Sequence, residues 1–396
     1  MCYFYIGDSM TKFDKDYLEL AKEILEHGVE VENRTGINTL KIPSWNFEFD
    51  LEKEFPILET KQTFYKNAII EMLWIWQMQS NDVRELHKRG VHIWDEWMVD
   101  EDGIYRIYDN SNQEKYDPDR EVVVLDPISV GVAYPNGTLR PKYDEKGNIM
   151  MAKSIIKGKN IIGAKYYGKE YANTIGTAYG YITNRYRHTQ NLIDTLKNNP
   201  TDRRMVKSLW QDEFIPTAVL PSCVWSTEWD VTGDKLNLSV HQRSCDVPLG
   251  LPFNVTQYAT FLKMIAHVTD LEPGKINYSI KDAHIYINQL EGIKKQLERL
   301  KKFEYLKSKN QEDLVQVNIY LNELLDKNLN KFSPDRLAAM RDELRMVDIA
   351  LNPTKPELWL NPEIDNFFRF DNSRELSDIK IKNYKHMGKI KFPISQ

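Results

Sequence analysis

The clearest structural signal in this sequence lies in residues 222–246, which read SCVWSTEWDVTGDKLNLSVHQRSCD. Apolar and polar residues alternate on both sides of residues 232–234 (TGD), a tripeptide typical of tight turns. The pattern predicts a β-hairpin in which Val231 lies opposite Lys235. The fold therefore contains at least one antiparallel strand pair.

In this register, the thiol of Cys223 lies directly across from the guanidinium of Arg243. Cross-strand partners share one face of a hairpin, with Cβ atoms about 4.5–5.5 Å apart. A cation at that distance favours the thiolate over the thiol, which activates a cysteine as a nucleophile. A register shift of one residue would place the two side chains on opposite faces. The alternative is that Cys223 is a small buried apolar residue, the role that we expect for Cys245.

Outside the hairpin, helical and strand-like patterns alternate along the chain. Helical periodicity covers residues 15–27, 63–79 and 255–268, and strand-like patterns cover 39–51 and the tail 358–396. This mixture predicts an α+β fold.

Two segments differ in composition from the rest. Residues 98–173 are rich in Asp, Gly, Lys and Tyr and contain short strand and turn signals, which predicts a small strand- and turn-rich subdomain. Residues 303–353 are charged and helical, which predicts a solvated insertion such as an antiparallel helix pair. The simplest organisation is one domain over residues 1–396 that carries these two insertions.

The bulk composition excludes several classes of protein. With 396 residues, 41% of them hydrophobic, and a net charge of −5, the chain is of the ordinary globular type. A mildly acidic chain lacks the basic surface of a general nucleic-acid binder, so no DNA partner is expected. Three scattered cysteines are too few for a disulfide framework or a zinc site. Without a signal-peptide pattern or an apolar run of about 18 residues, we expect a cytoplasmic protein with no membrane partner.

Glu71 interrupts an otherwise apolar helix, in the segment NAIIEMLWIW. Its helical neighbours are Ala68, Trp74 and Ile75, among which an ionised carboxylate is costly unless it has polar partners. Such a group suits general acid–base catalysis near neutral pH. The alternative is a glutamate on an exposed seam of the helix.

Four arginines lie among turn or strand residues instead of in charge runs. Together they are candidates for binding one phosphate through charge-assisted hydrogen bonds. They are Arg34, Arg203, Arg204 and Arg243.

Several motifs in a fixed order carry a family resemblance. They are IWDEW (93–97), DRR (202–204), QRSCDVPLGLPFN (242–254), DAHIY (282–286) and IKFP (390–393). In these motifs and their spacing the chain resembles the thymidylate synthases, over most of its length outside the two insertions. The resemblance implies a large mixed β-sheet covered by helices.

The resemblance also implies a reaction. Cys223 would attack C6 of the uracil ring of dUMP, and methylenetetrahydrofolate would supply a one-carbon unit and a hydride, which gives dTMP. Glu71 would manage proton transfers through water with help from Tyr179. Arg243 and Asp246 complete the implied catalytic set, and no metal is required.

The implied dUMP site draws on residues from several motifs. Ser244 would join the arginines at the phosphate, with Arg203 and Arg204 contributed by the partner subunit of an obligate homodimer. Alternation in DAHIY places His284 and Tyr286 on one face, where they would meet the 3′-hydroxyl. The substrate-binding set implied is Arg34, Arg203, Arg204, Arg243, Ser244, Asp246, Asn254, His284 and Tyr286.

Asn254 would select the base. Its carboxamide can donate to O4 and accept from N3–H of uracil, whereas cytosine presents the opposite pattern. Relatives that act on dCMP carry Asp at this position, so Asn254 indicates dUMP.

The implied folate site has walls, a charged contact and a lid. Asp246 would face the pterin, and Lys61 would contact the glutamyl tail. Gln396 and its neighbours would form a lid that closes over the site. The full set implied is Lys61, Trp94, Trp97, Asp246, Leu249, Gly250, Phe253 and Gln396.

The sequence departs from the family pattern beside the nucleophile and at two other places. Ser222 replaces the usual proline, and Val224 replaces a common histidine that helps to order water, which we expect to alter the rate more than the reaction type. Residues 181–186 lack the usual QWR stretch, and Gln62 stands where arginine is common.

Three other functions compete with methylation. A dUMP hydroxymethylase would let water capture the methylene intermediate, but the retained Trp94 and C-terminal tail would shield it. A cysteine hydrolase would need a histidine beside Cys223, and His241 lies on the opposite face by alternation. A non-catalytic nucleotide- or RNA-binding relative would have no need of the thiol.

Overall fold

The computed structural model describes residues 10–33, 35–108, 121–127, 145–146, 151–157, 161–328 and 331–394. Its helices are α1 (Lys12–His27), α2 (Tyr65–Trp76), α3 (Val83–His87), α4 (Gly180–Arg185), α5 (His188–Asn198), α6 (Gly250–Val268), α7 (Leu290–Lys307), α8 (Gln311–Asn328) and α9 (Pro334–Leu351). Its strands are β1 (Val29–Val31), β2 (Thr39–Asp50), β3 (Ile104–Tyr108), β4 (Glu121–Pro127), β5 (Met151–Lys157), β6 (Ile161–Tyr166), β7 (Val206–Ser208), β8 (Val224–Thr232), β9 (Lys235–Gln242), β10 (Cys245–Asp246), β11 (Glu272–Tyr286), β12 (Glu357–Leu360) and β13 (Ile379–Lys382). The α+β class predicted from the sequence is confirmed.

The chain divides into two compact units. The first contains residues up to Ile69, Ile193–Val206 and those from Thr227 onward, and the second contains Ile70–Leu192 and Lys207–Ser226. The single-domain organisation with two insertions stays a prediction.

The largest sheet has seven strands among the described residues, in the order β1-β2-β11-β9-β8-β7, with β10 paired to β11. Strand β11 lies at its centre, antiparallel to β2 and parallel to β9 and β10. The ladder between β11 and β2 passes over Asp282, whose φ is +50°. Pro43 is passed over on β2 as well, so the register is the same on both sides of this irregularity, which lies in DAHIY, the motif predicted to bind the sugar.

Local sequence explains the ends of the helices. The side chain of Thr11 caps α1 by accepting from the backbone N–H of Asp14 at 3.1 Å. Helix α6 begins at Gly250, earlier than the predicted Val255. Its first turn accommodates Pro252 because the first N–H groups of a helix have no intrahelical partner.

No described helix is both long and apolar enough to cross a lipid bilayer.

The two segments predicted as insertions contain the expected element types where the structure describes them. Within residues 98–173, β3 pairs with β6 and β4 pairs with β5, both antiparallel. The segment 303–353 is helical: it includes the end of α7 and all of α8 and α9, and α9 contacts both other helices.

The hairpin at 222–246 is present, but its predicted register is wrong by one residue. Strand β8 ends at Thr232 and β9 begins at Lys235, so the turn consists of two residues. Gly233, the first of them, has a φ of +67°, as a type II′ turn requires. Thr232, not Val231, therefore lies opposite Lys235.

A side-chain contact supports this register. The amide of Asn237 donates to the carboxylate of Asp230 at 3.1 Å, which places these two residues on the same face. A shift of one residue moves each side chain to the other face of a strand. The hairpin register at the turn therefore gives no support for the prediction that Cys223 lies opposite Arg243. Their proximity stays a prediction that depends on the family resemblance.

A buried acidic pair lies beside the start of α1. The carboxylate of Asp14 accepts from the backbone N–H groups of Glu59 at 2.8 Å and Thr60 at 3.0 Å. Burial, with a smaller contribution from Asp14, raises the pKa of the Glu59 carboxyl to about 9. Glu59 is 2% exposed, so the folded chain holds it protonated at neutral pH.

We expect Glu59→Gln to flatten the pH dependence of stability. Between pH 5 and 8 the folded state binds a proton at Glu59 that the unfolded state releases, so stability falls as pH rises, by up to about 1.4 kcal/mol per pH unit. Glutamine keeps the shape of the protonated side chain and removes this term. The free energy of unfolding in urea, measured across this range, checks the result, with the exposed Glu26→Gln as control. An unchanged slope in Glu59→Gln would mean that Glu59 is ionised in the folded chain.

Candidate active site

Glu71 lies on α2 and is 9% exposed. Its Oε1 accepts a hydrogen bond from the indole N–H of Trp94 at 2.6 Å. A short bond from a neutral donor to a carboxylate is among the stronger hydrogen bonds in proteins, and it fixes the direction in which the carboxylate points. The polar partner that we expect for a buried Glu71 is therefore the indole of Trp94, 23 residues further along the chain.

Tyr179 connects this pair to the cysteine. Its ring packs edge-on against that of Trp94, with centroids 5.5 Å apart, and its hydroxyl accepts from the backbone N–H of Cys223 at 2.8 Å. The backbone of Tyr179 has a φ of +46° and a ψ of −102°, a conformation that is costly for a residue with a side chain. Such strain is characteristic of residues whose position is imposed by a site.

Cys223 immediately precedes β8 and is partly exposed, in contrast to the fully buried Cys245. Its neighbours Ser222 and Val224 are each 2% exposed, so the backbone is anchored on both sides of an accessible thiol. A reactive cysteine needs this combination, because a thiol buried in apolar surroundings is inert.

Trp97 extends the same cluster, with its ring 5.6 Å from that of Trp94. Its indole N–H is buried and has no hydrogen-bond partner among the described residues. A buried donor without a partner is rare in a folded protein and fits a position that a bound molecule completes. The second unit thus brings together Glu71, Trp94, Trp97, Tyr179 and Cys223, all predicted as site residues.

In the first unit, Asp246 lies on β10 beside His284 of β11. Its carboxylate accepts from the backbone N–H of Leu249 at 3.1 Å and from the amide of Gln289 at 3.0 Å. Burial raises the pKa of this carboxyl, while the hydrogen bond from Gln289 acts in the opposite direction. The sequence did not indicate Gln289, which is fully buried.

Lys61 is 6% exposed and donates to the carbonyl of Pro248. Its ammonium lies 4.7 Å from the centre of the Phe392 ring in the C-terminal tail. Burial lowers the pKa of Lys61 to about 8, and Asp246 opposes that shift. The amide of Gln289 also donates to the carbonyl of Pro393 at 3.1 Å, so the tail is held close to the carboxylate of Asp246.

Asn254 lies in the first turn of α6, within a chain of amides. Its Oδ1 accepts from the amide of Gln242 at 3.3 Å, and its Nδ2 donates to Oε1 of Gln257 at 3.1 Å. Gln242 in turn accepts from the hydroxyl of Tyr278 at 2.6 Å. Because Tyr278 donates, Gln242 presents its amide N–H to Asn254, which sets the orientation of the Asn254 carboxamide.

Gln242 and Gln257 are functional candidates that the sequence argument did not single out. They are 3% and 4% exposed, and buried amides need polar partners. The spacing of Gln257 three residues after Asn254, on one helical face, was the signal that could have identified it.

The remaining predicted contacts lie near Asp282 in β11. The rings of His284 and Tyr286 are in contact, with centroids 5.2 Å apart, so their predicted placement on one face is confirmed. The hydroxyl of Ser244 donates to Asp282 at 2.9 Å, and Asp282 also pairs with Lys41 at 2.8 Å. Asp282 and Lys41 were not among the predicted site residues.

The predicted arginines lie in different environments. The guanidinium of Arg204 forms two hydrogen bonds with Asp202, each 2.9 Å long, while its side chain stays 86% exposed. Arg203 is also exposed, and Arg243 is half-buried. Leu249, Gly250 and Phe253 lie at the start of α6, whereas Arg34 and Gln396 lie outside the described residues.

Comparison with known proteins gives consistent similarities. The family profile described as thymidylate synthase matches residues 15–344. A thymidylate synthase from Clostridium beijerinckii is 35% identical, over 98% of this chain and 100% of its own, and that of Bacillus phage phi3T is 31% identical with the same coverage. The solved structure of thermostable thymidylate synthase A from Bacillus subtilis matches with a TM-score of 0.59 and 28% identity, over 97% of this chain and 99% of that chain.

Proposed function

The chain belongs to the thymidylate synthase family of methyltransferases, and we propose that it methylates dUMP to dTMP with Cys223 as the nucleophile. The proposal rests on a set of contacting residues in the second unit: the backbone N–H of Cys223 donates to the strained Tyr179, whose ring packs against Trp94. The indole of Trp94 in turn donates to the buried carboxylate of Glu71. A protein that only binds nucleotides has no need of this arrangement.

Covalent addition begins the reaction. The Cys223 thiolate forms a bond to C6 of uracil, and the electron pair displaced from the ring double bond gives C5 carbanion character. The backbone N–H of Cys223 donates to Tyr179. This hydrogen bond holds the phenol of Tyr179 next to the sulfur of Cys223. The O–H of the phenol can donate to the substrate or to ordered water.

Glu71 acts as the general base that removes the proton from C5. After the new carbon–carbon bond forms, that proton must leave before elimination, and a carboxylate acting through one water is a suitable base. The indole of Trp94 orients this carboxylate from one side. When bound, methylenetetrahydrofolate supplies the one-carbon unit and the hydride. The buried indole N–H of Trp97 is a suitable partner for it in the second unit.

Asn254 provides the base specificity in this proposal. Among the described residues, its Oδ1 uses one acceptor position for Gln242 and its Nδ2 uses one donor position for Gln257. An amide oxygen accepts two hydrogen bonds and an amide nitrogen donates two. One acceptor and one donor position therefore remain for the substrate, which is the pattern that complements N3–H and O4 of uracil.

The other contacts follow the family resemblance. Arg34, Arg243 and Ser244 would bind the phosphate, with Arg203 and Arg204 contributed by the partner subunit, and His284 with Tyr286 would bind the 3′-hydroxyl. Lys61 would meet the glutamyl tail of the folate, with Leu249, Gly250 and Phe253 beside the pterin. Gln396 would take part in a C-terminal lid that excludes water.

A product assay tests the function directly. The purified protein is incubated with dUMP and methylenetetrahydrofolate, dihydrofolate absorbance is followed, and the nucleotide product is identified. Equal amounts of dTMP and dihydrofolate support the proposal. Hydroxymethyl-dUMP without dihydrofolate would establish the hydroxymethylase, and dUMP binding without turnover would establish a non-catalytic relative.

Mixed dimers test the assignment of the arginines. We expect Cys223→Ser and the double variant Arg203→Ala/Arg204→Ala to be inactive separately. After joint unfolding and refolding at equal concentration, about half of the dimers are hybrids with one intact site, so about a quarter of the wild-type activity should return. Each variant refolded alone is the control. A mixture as inactive as its components would exclude arginines that act across the interface.

A further inference from the structure

Two histidines and an aspartate form a compact cluster outside the proposed catalytic set. His87 ends α3, His92 follows in the next loop, and Asp95 begins the 3-10 turn of IWDEW. The Nε2 of His87 lies 2.6 Å from Oδ1 of Asp95, and the Nδ1 of His92 lies 3.0 Å from its Oδ2. The two imidazole rings stack with centroids 4.8 Å apart and planes 23° apart.

These atoms have the chemistry of a metal site. One nitrogen of each histidine and a carboxylate oxygen all lie within 4.8 Å of one another. Two imidazoles and one carboxylate are a recurrent three-ligand set for Zn²⁺ and related divalent ions, which leaves one position for water. Ligand atoms around tetrahedral Zn²⁺ lie about 3.3 Å apart at bond lengths of about 2.0–2.1 Å. Around such an ion the two contacts with Asp95, now 2.6 and 3.0 Å, would widen by about 0.7 and about 0.3 Å, and the imidazole nitrogens, which lie within 4.8 Å of each other, would adjust to the same spacing.

The backbone holds the two histidines at this spacing. Leu86 directly precedes His87 and Val91 directly precedes His92; both are fully buried, and the N–H of Val91 donates to the carbonyl of Leu86 at 3.0 Å. The turn closes through a bond from the N–H of Gly90 to the carbonyl of His87 at 2.9 Å, with Gly90 at a φ of +65°. The ligands are thus placed by an anchored turn and need little ordering to bind an ion.

We propose that His87, His92 and Asp95 form a binding site for a divalent transition-metal ion, best suited to Zn²⁺. An ion bound there would cross-link the end of α3 to the segment that carries Trp94, the residue directly before Asp95. Since Trp94 donates to Glu71, the ion would also stiffen the support of that carboxylate. This last consequence rests on the proposed function, whereas the binding site does not.

Metal titration tests the site. Co²⁺, whose visible absorption reports its coordination geometry, is titrated into the full-length protein and then displaced with Zn²⁺. We expect one ion per chain with nitrogen and oxygen ligation, and binding at least about ten-fold weaker in His92→Ala. His92 has a 63% exposed side chain, so this variant should fold. His27→Ala is the matched control, because His27 is another exposed histidine beside a carboxylate, that of Glu23.

A second measurement separates this site from the thiols, which also bind these ions. Co²⁺ bound to thiolate absorbs strongly in the near ultraviolet, and that signal should be the same in wild type and His92→Ala. Zn²⁺ should raise the melting temperature of wild type and His27→Ala but not that of His92→Ala or Asp95→Asn. Equal Zn²⁺ affinity and equal melting shifts in wild type and His92→Ala would overturn the proposal. Metal binding that depends on His92 in a protein without methylation activity would uphold the site and overturn the proposed function.

Discussion

Cys223→Ser is expected to lower the rate of dTMP formation by a factor on the order of 10⁴ or more. A serine hydroxyl is not ionised near neutral pH and is a far weaker nucleophile than a thiolate, so addition to C6 would not occur at a useful rate. The side chain differs by one atom, and the backbone N–H of this residue would still donate to Tyr179. The binding of dUMP should therefore change by no more than a few-fold.

Two measurements check this result. Dihydrofolate absorbance reports turnover, and calorimetry with dUMP alone reports binding. Cys245→Ala is the matched control, because it removes the fully buried thiol of β10 and should retain methylation. If Cys223→Ser stayed active and Cys245→Ala did not, the roles of the two cysteines would be reversed.

Asn254→Asp is expected to change the preferred substrate from dUMP to dCMP. A carboxylate can still accept from Gln242, but it has no donor for O4 of uracil, and its second oxygen faces that atom. The same oxygen can accept from the amino group of cytosine, and one proton held between the other oxygen and N3 of cytosine pairs those two acceptors. A buried polar group left unpaired costs about 1–3 kcal/mol, so kcat/KM for dUMP should fall by roughly 10²-fold.

The surrounding amides can adapt to this substitution. The Oε1 of Gln257 now accepts from Asn254, and a rotation of its amide would present N–H to the new carboxylate at little cost in packing. Gln242 needs no change, since it already donates. The specificity change should therefore appear without a large loss of thermal stability.

Competition between dUMP and dCMP with methylenetetrahydrofolate measures the exchange. The ratio of methylated products in Asn254→Asp is compared with that of Asn184→Asp, an exposed position on α4. A full dUMP preference in Asn254→Asp would mean that another group reads the base and that Asn254 has a structural role.

Local patterns in the sequence were sufficient for several features. The TGD turn predicted the hairpin, and a period of two placed His284 and Tyr286 on one face, which their ring contact confirms. The apolar neighbours of Glu71 predicted a buried carboxylate with a polar partner. These features depend on residues a few positions apart, where backbone geometry alone decides which side chains share a face.

Other features depend on residues that are distant along the chain, and only the folded structure decided them. The hairpin register depends on whether the turn has two or three residues, and the sequence TGD is compatible with both. The contact between Asp230 and Asn237 in the folded chain indicates the two-residue turn. The partner of Glu71, the strained backbone of Tyr179 and the amides around Asn254 all result from packing. A buried polar group must find a partner, but which residue fills that role is settled by the free energy of the whole core, because no local rule connects positions that meet only after folding.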